Sequence, residues 1–258
     1  MDLSEKTQIV TDLMKSTKES WVECDPENPD LAIYLHLFRG DELVCTVQCP
    51  LNRDTALKAA HLAAAGFNAS TITLTFESYH TELKESPITG KRWMPREMQF
   101  VAETHPEAWE NGWVAECLTT SAHERGGGYE LFSQAYRIKD GKVEWGDTKS
   151  VKHSNEQGDH EGGLMFDHLQ QAMATPTVEE QLEEQAKENP LAAMVAGLIE
   201  DPERRQFHID MAVLKALQDN ELAIAVMLMA EEGSEREQWL AERLGEENIL
   251  TNPLEGKE

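Results

Sequence analysis

The spacing of apolar residues changes several times along the chain, and each change predicts a different element. In residues 4–22, Ile9, Val10, Leu13 and Met14 recur on one face of a helix that Ser4 can cap. The prolines of "DPENPD" (25–30) end it. "LAIYLHLF" (31–38) is apolar almost throughout, as in a strand covered on both sides. "RGDE" turns the chain and "LVCTVQC" (43–49) returns as the second strand of a hairpin. An alanine-rich helix follows, capped by Asn52 or Asp54 and ended by Gly66. In "STITLTFES" (70–78), Ile72, Leu74 and Phe76 point one way and Thr71, Thr73 and Thr75 the other.

Beyond residue 79 the periodicity fades. Residues 79–112 carry turn chemistry, Trp93 and Trp109 with Trp113 directly after, and the basic residues Lys91, Arg92 and Arg96, which predicts an insertion. Strand pattern resumes in 112–122, 129–138 and 143–147, the first pair joined by "ERGGG" and the second by "KDGK". A helix starts near Gly163 with Met165, Phe166, Leu169 and Met173 inward. After residue 175 only helices are expected. They are capped by Thr177 with Glu180, by Asp201 before Pro202, and by Ser234 with Glu237, and "ELAIAVMLMAEE" is read as one of them.

The expected fold is therefore α+β: a mixed, mainly antiparallel sheet flanked by helices, with a C-terminal acidic helical subdomain. The expected division is an α+β domain over 1–175, a helical subdomain over 176–247 and a flexible tail over 248–258. Charge supports it. Residues 177–258 hold 20 acidic and 7 basic residues, and residues 1–176 hold 28 and 16, so the C-terminal part has about twice the charge density.

The formal net charge of −25 changes the functional picture more than the fold. No dense cluster of Lys and Arg offers a surface to nucleic acid, and anionic membranes repel such a chain. No run of about 18 apolar residues exists. With no secretory signal pattern, a cytoplasmic location is expected. The four cysteines are then thiols. Cys45 and Cys49 lie about 13 Å apart on one strand, too far for a shared zinc or a disulfide, and are expected to be buried.

Three constellations carry candidate chemistry. Glu77 and His80 end one strand and His123 ends another; if these ends meet, they suit metal-assisted hydrolysis or acid–base catalysis. His153, Asp159 and His160 share a polar loop and are the candidate ligands for a divalent metal, although no cofactor is expected. Trp93, Trp109 and Trp113 form either a small core under the long insertion or a partner-binding surface. "ERGGGYE" lacks the lysine and the following helix of a phosphate loop. The expected function is protein–protein binding without catalysis, with a partner carrying a basic surface. The alternatives are a metal-dependent hydrolase and an acidic mimic of nucleic acid that occupies a DNA-binding protein.

Overall fold

The computed structural model describes residues 1–105, 107–153, 163–189, 201–230, 233–244 and 250–251. Its elements are α1 (Leu3–Cys24), β1 (Ile33–Arg39), β2 (Glu42–Cys49), α2 (Arg53–Gly66), β3 (Thr71–His80), α3 (Pro95–Thr104), α4 (Glu107–Glu110), β4 (Ala115–Glu124), β5 (Tyr129–Lys139), β6 (Lys142–His153), α5 (Gly163–Ala174), α6 (Val178–Glu188), α7 (Pro202–Asp219), β7 (Ala225–Ala230), α8 (Glu235–Leu244) and β8 (Leu250–Thr251). The strands form one sheet in the order β6-β5-β4-β3-β1-β2-β7-β8. Every described pairing from β6 to β7 is antiparallel, and only the short β8 lies parallel to its neighbour. The α+β class, the mainly antiparallel sheet and the C-terminal helices match the pattern of the chain.

Helices cover both faces of the central strands. On one face, Val10 and Met14 of α1 meet Tyr34, Phe38, Leu118 and Tyr136. On the other, Ala56, Ala60 and Ala63 of α2, Leu169 of α5 and Val213 of α7 pack on Leu35, Leu37, Val47, Ile72 and Leu74. The six residues Ile33–Phe38 are accordingly all buried. Phe166, Leu169 and Met173 of α5 face inward and Asp167 outward, as the helical spacing requires. The side chain of Met165 lies outside the described residues.

Two local expectations are corrected. Asp2 caps α1 in place of Ser4: its carboxylate accepts from Glu5 N–H at 2.9 Å, and Glu5 accepts from Asp2 N–H at 2.7 Å. The threonines of β3 lie on the face opposite Ile72 and Leu74, as their alternation requires, and are buried there because α1 lies over them with a partly polar face of its own. Lys6 Nζ donates to Thr71 Oγ1 at 3.2 Å, and the Thr75 and Thr120 hydroxyls meet at 3.1 Å. The second correction is larger. "AVMLMA" is strand β7, not helix, and it pairs with β2 from Gln48↔Ala225 to Cys45↔Leu228. Asn220 caps α7, Glu221 takes a positive φ of 55°, and Ile224 N–H bonds to Gln48 C=O. Leu and Met favour helices only weakly, and the open edge of β2 outweighs that preference.

Two buried polar features follow from this layering. Asp210 of α7, fully buried, accepts from Arg39 at 3.0 Å, from Arg236 and from Gln206 at 2.8 Å, tying α7 to β1 and to the start of α8. His36 is also fully buried, between Thr46 and Thr73 on the flanking strands, and none of these three side chains finds a hydrogen-bond partner.

Two predictions arise here. Burial holds His36 down at about 3, against an ordinary value of 6.5. The unfolded chain therefore takes up the proton first, and stability falls on acidification from about 6.5 toward 3. From His36 alone the loss between pH 7 and pH 5 is about 2 kcal/mol. His123, held at about 4 by burial, adds in the same direction. Urea unfolding should show His36→Leu to be more stable than the wild type at pH 7 and less sensitive to acid. Second, a Cβ on Gly66 would lie 2.1 Å from Val213 Cγ2 at the α2–α7 crossing. Gly66→Ala should cost about 1–3 kcal/mol in thermal denaturation, and adding Val213→Ala should recover much of it.

Candidate functional site

Helix α1 does not reach the whole of its sheet face. Beyond its C-terminal end the same face is covered by the 81–114 connection, which carries α3 and α4. His80 and Ala115 are direct partners across β3 and β4, so this connection leaves and re-enters the sheet at neighbouring positions. A tight turn would have sufficed to join them. Thr81 Oγ1 clamps the base by donating to Trp113 C=O at 2.6 Å. Trp93, Val101, Ala108 and Val114 form a separate small core, with Tyr79, Met98 and Trp113 packed around it.

In the seam between α1 and this excursion sits a cluster of ionisable groups. The Glu77 carboxylate accepts from the fully buried Lys18, from Leu31 N–H at 2.8 Å and from the Tyr136 hydroxyl at 2.6 Å. Lys18 also donates to Pro29 C=O at 2.6 Å, and its ammonium lies 4.7 Å from the centre of the Tyr136 ring. The Tyr136 hydroxyl contacts Glu116 as well. A phenol has one proton to give, so its contact with both carboxyls is strongest when one of them holds a proton of its own. Burial, with the charges of Glu77 and Asp30, raises Glu116 above the usual carboxylate range, against the lowering effects of Tyr136 and Lys18. Burial and the two glutamates push the Tyr136 phenol strongly up, so it stays neutral. Glu116 and Tyr136 open onto a cavity of about 610 Å³ whose wall includes Glu103, Glu107 and Trp109.

This arrangement can hold a proton and can anchor the loop before β1. Among the described residues, Asp30, Glu77 and Glu116 form a group whose carboxylate oxygens lie within 4.8 Å of one another. Lys18 already places a cation on Glu77 within that group. From sequence, neither Lys18 nor Tyr136 stood out; a lysine on the inward face of α1 was the available signal.

The structure does not bring Glu77, His80 and His123 together. β3 and β4 are neighbours, but they run antiparallel, so His123 pairs with Ile72 while His80 pairs with Ala115. Eight residues of strand, roughly 26 Å, separate the two positions. His80 lies in a cleft of about 400 Å³ beside Lys149, which is 2.8 Å from its Nε2 and 2.5 Å from Glu82. Burial first, then Lys149, lowers His80. His123 is buried against Tyr129 and Phe166. Among the metal candidates, Asp159, His160 and the side chain of His153 lie outside the described residues. Trp93 is buried, and Trp109 and Trp113 are half-buried, with the Trp109 ring pressed on Gly146. Cys45, Cys49 and Cys117 are buried free thiols, whereas Cys24 is exposed. No described helix is long and apolar enough to cross a membrane.

No protein-family model matches the chain, and neither a curated protein nor a solved structure matches it.

Removing one partner from the seam should separate two kinds of role. Glu77→Gln leaves Lys18 buried without its counter-charge and should cost about 3–5 kcal/mol in urea unfolding at pH 7. Glu116→Gln copies the protonated state and should change stability by no more than about 1 kcal/mol. It should also remove a stabilising contribution that the wild type loses as pH rises above the ordinary carboxylate range.

Proposed function

We propose that this protein is a non-enzymatic binding module whose contact surface is the 81–114 excursion. One observation carries this reading. The excursion is not needed to join its strands, yet it exposes Leu83, Ile88, Met94 and Phe100, with Met94 at 64% and Phe100 at 57% of full exposure. Surface loops built on a rigid scaffold commonly carry function, and large exposed apolar side chains favour protein contact.

The local structure supports that reading. Ser86 N–H bonds to Lys91 C=O at 2.8 Å, and Gly90, at a φ of 65°, turns the chain between them. Pro95 then starts α3, and the small tryptophan core lies underneath. The apolar groups therefore stand on an ordered base, which lowers the entropy lost on binding. The tryptophans serve that base more than the contact itself.

Charge suggests the chemistry of the partner. Residues 83–96 hold four basic residues and one acidic residue, within a chain of net charge −25. At long range such a chain attracts a protein of basic character. At contact, Lys84, Lys91, Arg92 and Arg96 favour carboxylates around an apolar patch. The proposed partner is thus another protein with both features.

The test compares the full chain with a variant carrying Leu83→Ser, Ile88→Ser, Met94→Ser and Phe100→Ser as baits in host extract. A partner recovered by the wild type is then purified and titrated against both. The variant should bind at least tenfold more weakly with its circular dichroism unchanged, and association should slow as salt rises. Equal binding by the variant, or no partner at all, would defeat the reading. Loss of binding on Glu183→Gln with Glu184→Gln instead would favour the nucleic-acid mimic. Turnover of a substrate would favour the hydrolase.

A further inference from the structure

Helices α2 and α5 pack side by side on one face of the sheet, and each carries a histidine at their contact. The rings of His61 and His168 have centres 6.2 Å apart and planes inclined by 84°. We propose that this pair binds a divalent metal ion of borderline softness, of the class of nickel(II), zinc(II) and copper(II), through one nitrogen of each ring.

The packing of the two helices sets the spacing of the rings. Ala60 and Ala64 of α2 belong to the same buried core as Leu169 and Ala172 of α5. His61 follows Ala60 and His168 precedes Leu169, and both histidines are half-buried. Ligands carried by packed helices are held more precisely than ligands on loops. A ring nitrogen sits about 2.1 Å from such an ion and about 1.1 Å from its own ring centre, so two rings sharing one ion have centres at most about 6.4 Å apart. The observed 6.2 Å falls within that limit. The nearly perpendicular planes let the ring edges approach a common point without the faces colliding.

The chemistry of the pair selects the ion. Neither imidazole makes a hydrogen bond or an ion pair with another described residue, so no protein group competes for their nitrogens there. Burial first, and then the charge of His168, lowers His61 below the ordinary histidine value. At neutral pH it therefore keeps a lone pair for a metal. Imidazole suits nickel, zinc and copper, whereas magnesium and calcium prefer oxygen. The carboxylates of Asp30, Glu77 and Glu116 offer only oxygen, and Lys18 already places a cation on Glu77. A chain of net charge −25 also concentrates cations at its surface. With two protein ligands, the remaining positions of the ion stay with water, and the ion ties α2 to α5.

The test titrates nickel(II) into the full chain at neutral pH and follows binding by calorimetry. One ion should bind at submillimolar concentration and raise the urea midpoint, since a ligand of the folded state stabilises it. His61→Gln and His168→Gln should each weaken binding at least tenfold with circular dichroism unchanged, and neither should retain the rise in urea midpoint. His208→Gln, on the exposed side of α7, and Glu116→Gln, in the carboxylate group, should leave binding as it is. Copper(II) bound to the wild type should show splitting from two nitrogens in its electron paramagnetic resonance spectrum, a readout that needs no variant. The proposal is overturned if nickel fails to bind at millimolar concentration, if either His61→Gln or His168→Gln binds it as well as the wild type, if magnesium displaces it at equal concentration, or if copper shows fewer than two nitrogen ligands. Partner binding through the excursion plays no part in these readouts.

Discussion

A sheet covered by helices on both faces must satisfy every polar group that its central strands turn inward, and most of this structure answers that demand. Lys18 on the inner side of α1 would be untenable without Glu77. Glu77 in turn holds Leu31 at the entry to β1 and the Tyr136 hydroxyl on β5. On the other side, Asp210 is fully buried and meets the demand with two arginines and a glutamine. Each cluster joins segments far apart in sequence, so polar satisfaction and tertiary connection are one requirement. His36, with Thr46 and Thr73 beside it, is one place where the requirement is unmet, which makes that row an acid-sensitive part of the molecule.

Much of the fold was legible in the chain because most elements have a clear period and a marked start. Asn52, Thr177 and Asp201 all cap the helices their positions imply. The continuous apolar run of 31–38 correctly signals a strand covered twice. Where the reading failed, a distant segment had altered the local preference. "AVMLMA" looks helical until the open edge of β2 is available to it.

The site was less legible, for a related reason. Strand direction decides which ends meet, and residue spacing does not reveal it. Glu77 and His80 fall on one end of the β3–β4 pair and His123 on the other, so one supposed triad becomes parts of three separate places. Lys18 and Tyr136 carry no motif; their meaning comes only from what faces them across the layer. The excursion between β3 and β4 was visible as an insertion. Its division of labour was not, with a tryptophan held inside and methionine and phenylalanine left outside.

The pairing of β7 with β2 has a consequence for how the chain matures. Strand β2 leaves the ribosome long before β7, the strand that closes its edge. Until then the nascent sheet offers unpaired backbone donors and acceptors along an apolar strand, the kind of surface on which chains aggregate. Premature termination upstream of Ala225 would leave that edge open for good, so quality control should recognise truncated products more by an uncovered strand than by a missing helix.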